Sequence, residues 1–467
     1  MRRAKIVCTI GPASQSRDVI RQLIKNGMDV ARLNFSHGDH STHKNIATIL
    51  RTESKNIGKI ISILQDLQGI KIRLSEIEGG GVMLQTGERI FIRPGEGIGN
   101  KERLFISYPA LLKDVNEGDN ILIDDGIIKL TVDDKGKKEL VARVIEGGFV
   151  RSKKGVNLPK TKTSLSSFTR KDKDDLLFGL GIGVDYVAIS FVRSGKDIDE
   201  VLRWSKKQGI SLPPLIAKIE KPEALDNIEE IIDMVEGIMV ARGDLGVEMP
   251  TEMVPVIQKM LIKKANKRGK LVITATQMLE SMTQHTRPTR AEATDVANAV
   301  IDGTEALMLS AETALGRYPV EALKMMDTII RFTEENINFS SSQYELKPIV
   351  PDAIADGACK VAHNIKAKAI VVFTHSGFTA GLISKLRPSI PILAFTPDES
   401  VLKRLPLYWG VIPKFIKHPE IDIDQSFIKG IETSLKKEGI AKRGENILLV
   451  ASSPFMGRPN IIRVHKL

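Results

Sequence analysis

An α/β fold built on a closed (β/α)8 TIM barrel is predicted by three features of this 467-residue sequence. Eight short β-branched runs alternate with longer amphipathic segments, the pattern of parallel strands joined by crossover helices. The alternation breaks once, after Arg73, where Gly-rich text holds several short runs separated by turn residues. A second α/β alternation then follows a polar stretch near residue 340. The expectation is therefore a barrel with an inserted small β-barrel lid domain and a C-terminal α/β open-sheet domain. An open doubly wound sheet made from the same eight strands is the alternative.

The barrel strands are predicted to begin at Lys5 (KIVCTI), Met28 (MDVARLN), Lys59 (KIISILQD), Asp185 (DYVAISF), Pro214 (PLIAKIE), Gly237 (GIMVARGD), Lys270 (KLVITATQ) and Thr304 (TEALMLS). Between them, SRDVIRQLIKNG should stop at Asn26-Gly27 and DNIEEIIDMVEG at Gly237, while VIQKMLIKKANKRG carries basic residues before Gly269. The barrel domain is assigned to 1–73 and 167–338, and the insert to 74–166, with runs such as ERIFIRP, NILIDDGIIKLTV and ELVARVI. SSSQYELKP reads as a linker, and 345–467 holds the strands AIVVFTH, IPILAFT, NILLVAS and IIRVH.

Composition narrows the function classes. A net charge of +11 suits nucleic acid, a membrane surface or anionic metabolites. Basic residues are spread along the chain and aromatics are only 5%, so stacking platforms and a basic recognition helix are not expected. Phosphorylated metabolites fit better. No apolar run is long enough to span a bilayer, and MRRAKIVCTIGP reads as a strand instead of a signal peptide. A cytoplasmic protein without nucleic-acid or membrane partners is expected. Cys8 and Cys359 are too few for a disulfide framework and read as buried small residues.

Polar residues gather at the carboxyl ends of the strands, the rim where barrel active sites lie. Strand two ends with Arg32, Asn34 and Ser36, strand three with Asp66, and strand four with Ser190. Strand five carries Lys218 and Glu220, strand six Arg242 and Asp244, strand seven Thr276, and strand eight leads to Ser310 and Glu312. Single residues of this kind are often structural hydrogen-bonders, but the convergence of all of them is catalytic in pattern. Period two places Arg32 with Asn34, and Lys218 with Glu220, on common faces. Strands five and six should be neighbours ~4.8 Å apart, which lets Glu220 and Asp244 share a cation. Two carboxylates without nearby His or Cys suit a hard ion such as Mg²⁺. The same rim would also serve an aldolase or another enolate-forming metal enzyme, with Lys218 as a Schiff-base lysine. Adjacent Glu220 weighs against that, because a carboxylate keeps a lysine protonated. A basic binding protein on a decayed barrel is the non-enzyme alternative.

Longer motifs carry a family resemblance. RLNFSH (32–37), DLQGIKIR (66–73), KKGVNLP (153–159), IAKIEKPEAL (216–225), IMVARGDLGVE (238–248), ATQMLESM (275–282) and LMLSAETALGRYPVEA (307–322) resemble pyruvate kinases in order and spacing. The similarity runs from KIVCTIGP to IIRVH. It implies phosphoryl transfer between phosphoenolpyruvate and ADP, with pyruvate and ATP as products. It further implies Glu220 and Asp244 as ligands of Mg²⁺ (or Mn²⁺), and Lys218 as the charge stabiliser of the phosphoryl group. Arg32 and Arg73 would grip phosphate oxygens. The backbone N–H groups of Gly243 and Asp244, with Thr276, would receive the substrate carboxylate, Thr276 near the route by which the enolate carbon gains its proton. Asn34, Phe35, Ser36, His37, Arg73 and Lys154 match the nucleotide side, with Ser310 and Glu312 further out. The insert corresponds to a lid whose IDDG segment (123–126) closes on the nucleotide. A homotetramer is implied as well, and another phosphoenolpyruvate- or enolate-handling barrel enzyme is the runner-up.

Three departures matter. Lys71 stands where many family members carry Glu and hold K⁺ beside the counterparts of Asn34, Ser36, Asp66 and Leu67; its ammonium is expected to make K⁺ unnecessary. Leu67 replaces a common Thr, and Ile70 a usual Pro. In the C-terminal domain THSGFTA resembles the family's effector loop, pointing to Thr374, His375, Ser376, Gly377 and Thr379 for a phosphorylated effector. The late loop SSPFMGRPN (452–460) departs from the usual Gly/Thr-rich text.

Overall fold

The computed structural model describes residues 1–467 except 160, 162, 338–342, 418–424 and 453–456. The expected barrel boundary at 338, the start of the linker and part of the 452–460 loop lie outside the described residues. Eight parallel strands close into a barrel. They are β1 (Lys5–Thr9), β2 (Val30–Asn34), β3 (Ser62–Asp66), β4 (Tyr186–Ile189), β5 (Leu215–Ile219), β6 (Gly237–Ala241), β7 (Leu271–Ala275) and β8 (Ala306–Leu309). Each lies beside its predecessor in the chain, and β8 closes on β1. Buried on both faces, they read as nearly continuous apolar runs. One face supplies an interior of Val7, Val30, Leu64, Ile216, Met239 and Ile273, and the other packs on the helices.

The helix spanning Arg17–Lys25 is capped by Ser16, whose Oγ accepts from the Val19 N–H, and the one spanning Val254–Lys267 gives way to Gly269 at φ +70°. Gly237, expected both to end a helix and to begin a strand, opens β6. The helix spanning Ile228–Met234 stops at extended Val235, and a Cβ on Gly237 would lie 2.7 Å from Leu271. Close approach of β7 is what requires glycine there.

The insert holds a six-stranded and a two-stranded sheet around a core of its own. The C-terminal sheet contains the four expected strands and a fifth, Val411–Phe415, at its parallel edge. Pro413 hides that strand from a propensity reading and is tolerated because the strand is an edge. This domain stoppers the barrel floor. Leu407 enters the barrel interior cluster, and Tyr408 Oη donates to Glu236 at 2.7 Å. Lys385 and Arg387 both reach Glu305 Oε1 at 2.6 Å. Cys8 is buried, whereas Cys359 is only half-buried; burial raises both thiol pKa values. Among the described residues no helix is long and apolar enough to cross a membrane.

Asp29 ties the first two strands together. Its Oδ2 accepts from the Ile6 N–H at 2.9 Å and from Arg2 at 2.7 Å. Despite burial, Arg2, Lys59 and Lys5 pull its pKa down to about 2. A carboxylate depressed on folding contributes stability above its unfolded value near 3.9, and that contribution disappears as pH falls through about 2. Urea unfolding of Asp29→Asn should therefore show a loss of about 2 kcal/mol at neutral pH. The gap to the parent should narrow from pH 4 downward.

Candidate active site

The carboxyl ends of β2 to β6 bring four charged side chains into one buried group. Lys218, on β5, lies 2.8 Å from Glu220 Oε1 and 3.2 Å from Asp66 Oδ1. Its Nζ also donates to Ser190 Oγ at 2.8 Å, and that hydroxyl donates to the Leu67 carbonyl at 2.7 Å. Arg32 donates to Asp66 Oδ2 at 2.7 Å and to Thr9 Oγ1 at 3.0 Å. Asp66 is thus shared by the two cations, and both hold its pKa below the ordinary range against the effect of burial. Burial opposes the Lys218 charge, yet Asp66 and Glu220 outweigh it and raise its pKa. A lysine held protonated in this way is no Schiff-base nucleophile.

The acids opposite are under-compensated. Burial raises the pKa of Glu220, opposed by Lys218 and reinforced by Asp244. Asp244 is raised by burial and then, against Lys218, by Asp125 and Asp66. Glu220 Oε2 accepts one hydrogen bond, from the Phe191 N–H at 2.7 Å. Buried carboxylates with surplus negative charge and no nearby thiolate or imidazole form a hard-cation site. Among the described residues no three His, Cys, Asp or Glu gather as a full metal cage. Two protein carboxylates, with remaining positions left to water and substrate, fit a divalent ion of the Mg²⁺ type.

β6 ends at Ala241, so Arg242, Gly243 and Asp244 lie on a short helix (Arg242–Glu248) and not on the strand. The Gly243 N–H donates to Thr276 Oγ1 at 2.7 Å. The Thr276 hydroxyl in turn donates to the Ala275 carbonyl at 2.5 Å, so the two groups expected to receive a carboxylate lie side by side and would exchange these acceptors for it.

The nucleotide-side residues are less uniform. Asn34 Oδ1 accepts from the Ser36 N–H at 3.1 Å, and His37 is exposed. Its pKa is lowered by burial and by Lys71, Arg73 and Arg32. Phe35, expected on the nucleotide side, keeps its ring inside the protein. It is 2% exposed and stacks on His43 with ring centroids 4.1 Å apart. Alternation past the strand end turns it inward while its neighbours face out. Glu312, expected further out near the nucleotide side, is enclosed as well. It is fully buried, and its oxygens accept from the Leu279 and Ser310 N–H groups at 2.9 and 2.7 Å. It therefore organises the rim through backbone amides. Ser310 Oγ is buried and has no hydrogen-bond partner among the described residues.

The lid sits over this rim. Arg73 donates to the Lys153 carbonyl at 2.8 Å, and Lys154 pairs with Asp124 at 2.8 Å. At the hairpin tip Asp124, Asp125 and Gly126 all adopt positive φ, the conformation an Asp-Gly turn favours. Asn157 donates across to barrel residue Glu248 at 2.8 Å. Lys71, Asp125, Lys221 and Asp244 line a cavity of about 160 Å³ between lid and barrel. Lys71 is half-buried there and makes no hydrogen bond or ion pair among the described residues. Burial lowers its pKa, with Arg73 adding and Asp244 opposing. Gly69 precedes it at φ +68°, where a Cβ would meet Ser190 and Phe191 at 2.9 Å.

In the C-terminal domain Thr374 Oγ1 accepts from the Gly377 N–H at 3.0 Å, and Ser376 Oγ from the Phe378 N–H at 3.4 Å. Thr374 and Thr379 are buried, whereas His375 and Ser376 are exposed; Gly377 has φ +89°. Arg458, from the late loop, lies over the Phe378 ring at 5.4 Å.

From the sequence, Ser190 and Asp66 were visible only as rim residues, Asp66 also as a potassium-type ligand, and Asp125 only as part of the IDDG segment; their bonds to Lys218 and their field on Asp244 were not. Their position at strand ends and in the Asp-Gly turn was the available signal. Known proteins resemble this chain in sequence and in fold. The family model for the pyruvate kinase barrel domain matches residues 1–323, and that for the pyruvate kinase alpha/beta domain matches 352–465. Pyruvate kinase of Geobacillus stearothermophilus is 44% identical over 99% of this chain and 80% of its own length. That of Mycobacterium tuberculosis is 42% identical over 100% of this chain and 98% of its own. A crystal structure of a pyruvate kinase from Cryptosporidium parvum superposes with a TM-score of 0.93 at 36% identity, covering 100% of this chain and 96% of that one.

Proposed function

The chain belongs to the pyruvate kinase family and so transfers a phosphoryl group from phosphoenolpyruvate to ADP in glycolysis; on that premise we propose that the buried charge cluster at the ends of β2 to β6 is where transfer occurs. One observation carries this reading: Lys218 lies between Asp66 and Glu220, with Asp244 in electrostatic reach. The family needs a divalent metal, and Glu220 and Asp244 would hold it as Mg²⁺ or Mn²⁺. When bound, it would draw negative charge from phosphate and enolate oxygens.

The chain's own residues do the rest. Lys218 and Arg32 meet the charge spread over the moving phosphoryl group, and their shared partner Asp66 keeps both aimed at the rim. The backbone N–H groups of Gly243 and Asp244 seat the substrate carboxylate together with Thr276, which faces the carbon that is protonated when enolate becomes pyruvate. Asn34, Ser36, His37, Arg73 and Lys154 form the nucleotide side. The lid excludes water, the rival acceptor. Pyruvate formation followed against ADP and Mg²⁺ tests the assignment; turnover without ADP would contradict it.

Lys71 supports independence from K⁺. Its ammonium lies in the cavity with Asp125 and Asp244, and Asp66 is already engaged by Arg32 and Lys218. In tetramethylammonium buffer, adding KCl should leave the rate unchanged, and marked stimulation would sink the idea. The homotetramer, cytoplasmic location and a phosphorylated effector at Thr374 to Thr379 are parts of the same reading, supported by family membership.

A further inference from the structure

Arg242 stands at the rim without a part in the scheme above, yet it makes unusually many contacts to one turn. Thr276 and Gln277 follow β7 with φ of +70° and +53°. Two successive non-glycine residues in the left-handed region are disfavoured, most of all β-branched Thr, and persist only where their surroundings hold them. Arg242 does so. Its Nη2 donates to the Thr276 carbonyl at 2.7 Å and to the Gln277 carbonyl at 3.2 Å, and Nε to the Thr276 carbonyl at 3.3 Å. Nη1 lies 2.7 Å from each oxygen of Asp295, on the helix spanning Arg290–Asp302. The guanidinium is largely buried, so these bonds fix the turn against that helix. The turn in turn aims Thr276 Oγ1 at the Gly243 N–H.

We propose that Arg242, anchored by Asp295, is a positioning residue that holds the Thr276–Gln277 turn so that the Thr276 hydroxyl and the Gly243 N–H stay adjacent and can exchange their present acceptors for the substrate carboxylate. This rests on the reading of those two groups given above. Arg242 itself faces the turn carbonyls and Asp295, and it works through Thr276. A planar fork is what the task requires, since adjacent carbonyls and a carboxylate must be met in one plane, which the point charge of lysine cannot do.

The test is a double-mutant cycle of Arg242→Ala and Thr276→Val, read as separate KM values for phosphoenolpyruvate and ADP. Arg242→Ala should raise the phosphoenolpyruvate KM on the order of tenfold to a hundredfold, the cost of a misplaced contact. The ADP KM should hold. Guanidinium ion at concentrations below the unfolding range should recover much of the loss in Arg242→Ala and none in Thr276→Val. Arg242→Lys should behave like Arg242→Ala, and the double variant should be no worse than Thr276→Val alone. Should Arg242→Ala not fold, Asp295→Asn gives the same reading. A raised phosphoenolpyruvate KM there supports the proposal, and a parental one overturns it. A parental KM in Arg242→Ala with Thr276→Val impaired overturns the proposal and leaves the carboxylate reading standing. Parental kinetics in Thr276→Val would overturn that reading itself. Additive losses, or equal losses for both substrates, would make Arg242 a general support of the fold and overturn the proposal.

Discussion

Replacing Lys218 with methionine should lower kcat on the order of a thousandfold, about 4 kcal/mol of transition-state stabilisation, while the ADP KM changes little. The side chain is enclosed at the end of β5, with Ser190, Asp66 and Glu220 fixing its Nζ. A charge oriented in advance in a buried site stabilises developing negative charge without reorganising when the reaction occurs, which is why its loss falls on kcat. The substitution also leaves Glu220 without its cation, so folding is to be checked by thermal unfolding in parallel. A variant that melts near the parent and turns over within tenfold of it would show that Lys218 does not face the transferred group.

The second large effect concerns the two acids and runs in opposite directions for binding and stability. Glu220→Gln and Asp244→Asn should each weaken Mn²⁺ binding by about a hundredfold or more, measured by the free-ion electron paramagnetic resonance signal. Activity at fixed metal should fall in step. The metal-free variants should nonetheless be as stable as the parent or more so. Both carboxyl groups have pKa values raised by burial, Glu220 further by Asp244 and Asp66, and Asp244 further by Asp125 and Asp66. A carboxyl whose folded pKa lies above its unfolded value costs stability when ionised at neutral pH, and that cost is relieved as pH falls through the folded value. Removing one charge removes the cost. Thermal stabilisation by added Mn²⁺, which follows ligand concentration over Kd, should be clear in the parent and nearly absent in the variants. Metal-free variants that melt far below the parent would contradict the under-compensated site.

Much of this was legible in the sequence because the barrel strands are buried on both faces. Runs such as IVCT, ILQD and LIAKI announce themselves by β-branching and by polar residues at one end. Lys218 and Glu220 could be placed together because period two is local, and the neighbouring position of Asp244 followed from strand order. What stayed hidden depended on contacts that no local pattern carries. Phe35 and Glu312 sit among site residues in sequence, but inward packing on His43 and two backbone N–H groups from separate loops claim them. Arg242 was visible as a charge at the rim, yet its meaning lies in carbonyls 34 and 35 positions away. Gly237 carries the same residue type a helix end would, and only the approach of Leu271 reveals its use.

Anomalous scattering from crystals of the intact protein grown with Mn²⁺ examines the core claim at its source. Density for one ion within ~2.2 Å of carboxylate oxygens at positions 220 and 244, with position 218 beside it, is the expected map. An ion bound elsewhere on the rim, with those two acids turned away from it, would contradict the account.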